Sequence, residues 1–205
     1  HDKLIMQVTK ITDYGYGCNT YVLTNDGKTA VVIDCATPSV YDACIEMNLK
    51  PVAVLLTHGH FDHVGGCGKF YENGVPIYCG DGEDKFISCP ENRGIFGGVN
   101  IPYFKIYKTL SDGEVISFGG MTFTVISSGG HTVGGVCYIS DGKLFTGDTL
   151  FAGSVGRCDL PTGDVTRLKE SLKKLCSLDG DYAVYCGHGE DTTLARERKY
   201  NPYLR

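Results

Sequence analysis

Thr57-His58-Gly59-His60-Phe61-Asp62-His63 carries four nitrogen and oxygen donors within six residues and follows directly on Val52-Ala53-Val54-Leu55-Leu56. The apolar run has the length and composition of a strand covered on both faces. Open sheets place their chemistry just beyond the carboxyl ends of such strands, so the segment predicts a buried strand with a site at its tip. Neutral imidazole and carboxylate suit zinc, iron or manganese. In an extended turn His58 and His60 point to one side, while Asp62 and His63 begin the next turn and address a second point nearby. One ion does not comfortably take four ligands from so short a loop, so the spacing favours two. Gly65 and Gly66 follow, ahead of a helix, where they let the backbone approach closely.

The remaining histidines repeat this placement. His1 is set aside; His131 lies in Ser128-Gly129-Gly130-His131-Thr132 and His188 in Cys186-Gly187-His188-Gly189, each after a run of strand character. Asp148, in Phe145-Thr146-Gly147-Asp148-Thr149, occupies the same kind of position. A buried carboxylate without a partner is costly, and a bridging role between two ions would explain it.

Around these turns the sequence predicts strands over 4–10, 20–24, 29–34, 76–79, 104–109, 122–127, 136–140, 143–146 and 182–186. Asn25-Asp26-Gly27-Lys28 and Asp141-Gly142 supply hairpin turns. Helices are predicted over 39–48, over 164–176 with Asp164 as N-cap and Leu168, Leu172 and Leu175 as a core stripe, and over 193–200. The order implies one domain over 1–205, with sheets packed together and helices outside. The stretch 88–104, with Phe96, Tyr103 and Phe104, reads as a long loop, functional or simply irregular.

Composition narrows the function. A net charge of −5 with no basic stripe argues against a nucleic-acid partner. No apolar run approaches the roughly 18 residues of a membrane span. No secretory pattern opens the sequence, and the ten cysteines never fall at Cys-x-x-Cys spacing. They read as small buried hydrophobes in a reducing compartment, so a cytoplasmic protein with a small-molecule substrate is expected. Nothing in the sequence indicates the oligomeric state.

The set H-x-H-x-D-H, Gly-His-Thr, Gly-Asp and Gly-His, in this order from Thr57 to His188, resembles the metallo-β-lactamase superfamily. The segment from Gly147 to Arg157, with Asp159-Leu160-Pro161 and Asn201-Pro202-Tyr203, resembles its short, single-domain glyoxalase II-like (hydroxyacylglutathione hydrolase-like) branch. The resemblance implies an α+β fold, a four-layer αβ/βα sandwich with the site at one edge of two facing sheets. It implies that His58, His60 and His131 bind a first metal, that Asp62, His63 and His188 bind a second, and that Asp148 bridges them. The cofactors implied are two divalent ions, zinc foremost, with iron or manganese as alternatives. The implied reaction is hydrolysis of a thioester, such as an S-acylglutathione, by a metal-bridging hydroxide, with Asp62 and Asp148 as the catalytic carboxylates. Arg157, beyond the Gly153–Gly156 turn, is the candidate for a substrate carboxylate, or else a turn-stabilising surface residue.

Two departures concern glutathione. Only 17 residues follow His188, where true glyoxalase II has a helical region that helps to hold glutathione, and Glu190 stands where that enzyme tends to have tyrosine. The same fold also hosts mononuclear iron persulfide dioxygenases, lactonases and β-lactamases. The complete second ligand set weighs against the first of these. A metal-dependent nuclease and a non-enzymatic metal-binding module complete the alternatives.

Overall fold

Each strand of the interior sorts its side chains by alternation, and that alternation creates the layers. In a computed structural model, which describes residues 5–90, 92 and 101–204, fourteen strands fall into two six-stranded sheets and a two-stranded ribbon. The first sheet comprises β1 (Gln7–Thr12), β2 (Asn19–Thr24), β3 (Thr29–Ile33), β4 (Lys50–Leu55), β5 (Ile77–Gly80) and β6 (Lys108–Leu110), in that spatial order. β1 to β3 are antiparallel and β3 to β6 parallel. Its parallel crossovers carry α1 (Ser39–Glu46), α2 (Phe61–Val64), α3 (Cys67–Glu72) and α4 (Glu83–Ser88).

The second sheet is an antiparallel meander of β7 (Val115–Phe118), β8 (Met121–Ser127), β9 (Val136–Ser140) and β10 (Lys143–Gly147). Between β10 and the later strands lies the ribbon of β11 (Leu150–Phe151) and β12 (Ser154–Val155). A crossover through α5 (Val165–Cys176) then adds β13 (Ala183–Cys186) parallel to β10, and β14 (Thr192–Thr193) closes the edge before α6 (Leu194–Tyr200).

Tyr21, Leu23, Val31, Ile33, Ala53 and Leu55 face inward to Phe123, Val125, Tyr138 and Phe145 of the opposing sheet. The alternate residues Val22, Val32 and Val54 face outward, where Val40, Val64 and Phe70 of the helices cover them. Behind the second sheet, Cys137, Leu144 and Val184 meet Leu168, Leu172 and Leu175 of α5. Three apolar interfaces therefore separate four layers, the αβ/βα sandwich expected from the sequence.

The predicted turns form as read. Asp26 Oδ1 accepts from the backbone N–H groups of Lys28 and Thr29, and Asp141 and Gly142 both take positive φ (47° and 72°). The helix α4, the edge strand β7, the ribbon and β14 are additions to the sequence reading. β6 is shorter than the 104–109 predicted, because the chain pairs with β5 only from Lys108. Of the loop read over 88–104, residues 91 and 93–100, Phe96 among them, lie outside the described residues.

Asp164 caps α5 by accepting from Arg167 N at 3.0 Å. Asp164→Ala is expected to cost about 1 kcal/mol and to lower the melting temperature by roughly 2–4 °C, read by a thermal melt. An unchanged melt would show that the cap is redundant.

At one end the sheets bond to each other through backbone: Asn19 N donates to Gly187 O at 2.7 Å and Val136 N to Thr57 O at 2.8 Å. The hydroxyls of Tyr21 and Tyr138 add bonds to Cys186 O (2.6 Å) and Leu56 O (2.7 Å). At the opposite end the sheets meet through side chains, as where Asn25 Nδ2 donates to Gly120 O.

Candidate metal centre

The bonded end is where the histidines gather. His58, His60, Asp62 and His63 follow β4, His131 follows β8, Asp148 follows β10 and His188 follows β13. All seven residues singled out as ligands from the sequence meet there. One group joins His58, His60 and His131, and another joins Asp62, His63 and His188, each with donor atoms within 4.8 Å of one another. Asp148 lies between them. Its Oδ2 is 3.5 Å from His131 Nε2, 4.0 Å from His58 Nε2 and 3.5 Å from His188 Nε2, and its Oδ1 is 3.4 Å from His63 Nε2.

Hydrogen bonds fix which ring nitrogen faces the centre. Thr57 Oγ1 donates to Asp34 Oδ2 at 2.7 Å and so accepts from His58 Nδ1 at 3.1 Å, leaving His58 Nε2 free. His63 donates through Nδ1 to Asp34 Oδ2 (2.8 Å) and His131 through Nδ1 to Arg157 O (2.8 Å). His60 turns Nδ1 to within 2.9 Å of His131 Nε2, and His63 Nε2 lies 3.3 Å from His188 Nε2.

These contacts fit metal ions. Among the described residues, His58 Nε2 and Asp148 Oδ1 are buried with no hydrogen-bond partner, an expensive state for polar atoms in a protein interior. Lone pairs that face one another at about 3 Å repel unless a proton or a cation stands between them. Donors about 2.1 Å from a tetrahedral ion lie roughly 3.4 Å apart, within the spread seen here. A nitrogen and carboxylate set suits zinc, iron or manganese alike.

Electrostatics favours the ligating state in the three-histidine half and gives the other half a negative surround. Burial holds His58, His60 and His131 below the ordinary histidine range, His60 at about 3, and neutral imidazole is the ligating form. Burial acts likewise on His63 and His188, but it is outweighed. For His63 the opposing groups are the buried Cys18 and the carboxylates of Asp148, Asp62 and Asp34; for His188 they are Asp62 and Asp148. Against their own burial, Asp62 and Asp148 are held below the usual carboxylate range by the neighbouring imidazoles.

Close backbone approach lets the turns converge. A Cβ on Gly187 would sit 2.2 Å from Asp148 Oδ1, and one on Gly66 would sit 2.2 Å from Thr37 O. The glycine pair after His63 thus serves contact with the 35–37 loop rather than with the ligands themselves.

Arg157 reaches the centre through its backbone carbonyl. Its guanidinium is exposed and holds Asp159 with two bonds of 2.6 and 2.7 Å, the turn-stabilising alternative of the sequence reading.

Two buried carboxylates escaped that reading. Asp34, just past β3, accepts from Thr57 N, Thr57 Oγ1 and His63 Nδ1. Its proximity to His58 and His63 makes a third potential ligand group, but its oxygens already hold three donors. Glu83, just past β5, accepts from Gly59 N and Gly134 N. The rule applied to β4, a polar residue beyond a buried strand, would have found both.

The ten cysteines are free; Cys35, Cys44, Cys67, Cys79, Cys137 and Cys186 line the apolar interfaces as expected, while the equally buried Cys18 lies beside His63. No helix of the described residues is long and apolar enough to cross a membrane.

A four-layer sandwich with histidine-rich turns at the junction of its sheets defines a class of metal-dependent hydrolases. The chain belongs to the metallo-β-lactamase superfamily, whose sequence profile matches residues 13–188. A hydroxyacylglutathione hydrolase, GloC of Haemophilus influenzae, is 34% identical over 97% of both chains. Among solved structures, the BLEG-1 B3 metallo-β-lactamase superposes with a TM-score of 0.90 at 33% identity, covering 97% of this chain and 99% of its own. TTHA1623, solved in a di-iron-bound form, gives a TM-score of 0.82 at 33% identity over 96% of this chain and 100% of its own.

Proposed function

We propose that this protein is a binuclear hydrolase of thioesters, with an S-acylglutathione as the substrate class and His58, His60, His131, Asp62, His63, His188 and Asp148 as its metal ligands. The observation that carries the reading is the position of Asp148, within 4.0 Å of imidazoles from both ligand groups. Likeness to a hydroxyacylglutathione hydrolase along nearly the whole chain supports the thioester, and likeness to a di-iron protein supports two ions. Zinc remains the first choice, with iron or manganese fitting the same donors.

Bound divalent ions supply a water acidic enough to ionise near neutral pH and a Lewis acid for the carbonyl oxygen. The chain's own groups do the rest. Asp62, on the more accessible side of the centre, would bind metal and orient the attacking hydroxide, with its Oδ2 3.2 Å from His188 Nε2. A departing thiolate, with a thiol pKa of about 8.5, needs no strong acid, in keeping with the assignment of all five histidines of the described residues as ligands. Arg157, whose backbone carbonyl accepts from His131 Nδ1, would meet a substrate carboxylate only once its exposed guanidinium parts from Asp159. A small-molecule substrate in the cytoplasm, with no nucleic-acid or membrane partner, agrees with the acidic charge and the reduced cysteines.

The test assays S-lactoylglutathione, simpler thioesters, lactones and β-lactams on one sample of measured metal content. Preference for thioesters by at least tenfold in kcat/KM is the expected result. Turnover of lactone or β-lactam without thioester, or one iron per chain with oxygen uptake, would overturn it.

A further inference from the structure

Gly59, the residue between His58 and His60, is gripped from outside on both of its peptide groups. Its N–H donates to Glu83 Oε1 at 2.7 Å, and its carbonyl accepts from Asn92 Nδ2 at 2.7 Å. A Cβ there would lie 2.4 Å from Ile87 Cγ1, so α4 presses directly on this peptide. The other oxygen of Glu83, Oε2, accepts from Gly134 N at 2.7 Å, three residues beyond His131. A Cβ on Gly134 would lie 2.5 Å from Glu83 N, so the His131 loop is flush against the start of the same helix.

Glu83 is fully buried. It joins the loop of His58 and His60 to the loop of His131, two segments that belong to different sheets. It makes no such bond to Asp62, His63 or His188; that side is held by Asp34, through His63 and Thr57. A buried carboxylate that accepts two backbone N–H bonds is a strong and directional restraint, and partners behind metal ligands tune affinity as well as orientation.

We propose that Glu83 is a positioning residue for the three-histidine half of the centre, setting the relative placement of His58, His60 and His131 and hence the affinity of that half for a divalent ion. The inference rests on the reading above that these histidines bind metal. Glu83→Gln keeps the volume and one acceptor but turns an amide NH2 toward a backbone N–H. Glu83→Asp keeps the charge but is too short to span both loops. Glu83→Gln conserves the volume and Glu83→Asp removes a single methylene, so both are better suited to stay folded than Glu83→Ala.

The full chain and these variants are titrated with Co²⁺, following the d–d absorption and the thermal melt, with His131→Ala and His188→Ala marking which equivalent belongs to which half. In Glu83→Gln and Glu83→Asp the equivalent lost in His131→Ala is expected to weaken by about 10–100-fold with altered bands. The other equivalent is expected to weaken by a clearly smaller factor, because Glu83 bonds the loops of His58, His60 and His131 directly and reaches the other half only through the shared Asp148. Unchanged affinity for both equivalents would overturn the proposal. So would weakening of both in step with the melt, which marks a merely structural role. Failure of the parent to bind cobalt would remove the metal reading and this inference together. Two bound equivalents without thioester turnover would remove only the thioesterase reading.

Discussion

Asp148→Ala should empty both halves of the metal centre and lower kcat by about a thousandfold or more, equivalent to roughly 4 kcal/mol of activation free energy. Asp148 is the residue whose two oxygens face imidazoles of both groups, at 3.4 to 4.0 Å. Its removal leaves four imidazoles converging with no central negative charge. On the binuclear reading the cost is therefore shared by both ions, unlike the loss of a ligand confined to one. Asp148→Asn keeps the shape but not the charge and should fall nearly as far. Metal analysis of the purified variants, beside thioester kinetics, checks the expectation; full metal content in Asp148→Ala would contradict the bridging role.

Asp34→Ala is the second large effect, and it falls on stability. The carboxylate is buried and holds three donors: Thr57 N, Thr57 Oγ1 and His63 Nδ1. Stranding buried donors costs about 1–3 kcal/mol each, and removing one member of a buried ionic contact typically costs about 3–5 kcal/mol. A loss of about 3–5 kcal/mol is expected, a large part of the 5–15 kcal/mol of a typical domain. Asp34 also has φ of 57°, where alanine is strained and asparagine is tolerated. Asp34→Asn therefore separates the backbone from the carboxylate and should lose less. Urea unfolding measures both, and a loss below about 1 kcal/mol in the alanine variant would refute the anchoring role.

The fold was legible where local pattern and tertiary demand agree. Val52 to Leu56 reads as a buried strand because it is one, and the alternation along Thr29–Ile33 survives as inward Val31 and Ile33 against outward Val32. The turns that converge at the candidate centre were legible because five histidines recur in one kind of place, just beyond a strand. What stayed hidden is held by distant partners. Val115–Phe118 is only four residues long and, at the sheet edge, leaves Val115 exposed, so its apolar residues do not mark a buried face. The helix of Glu83–Ser88 is short and sits in an acidic stretch that looks like a solvated turn. Glu83 acquires its meaning only from Gly59 and Gly134, which lie 24 and 51 residues away.

The backbone bonds of Asn19 to Gly187 and of Val136 to Thr57 make the sandwich resemble a book stitched along one margin. At the opposite margin its leaves are held by side chains, as near Asn25 and Gly120. The proposed donors lie along the stitching, so the bonds that join the sheets also fix the turns that carry those donors. A cation seated there would tie the same margin a second time.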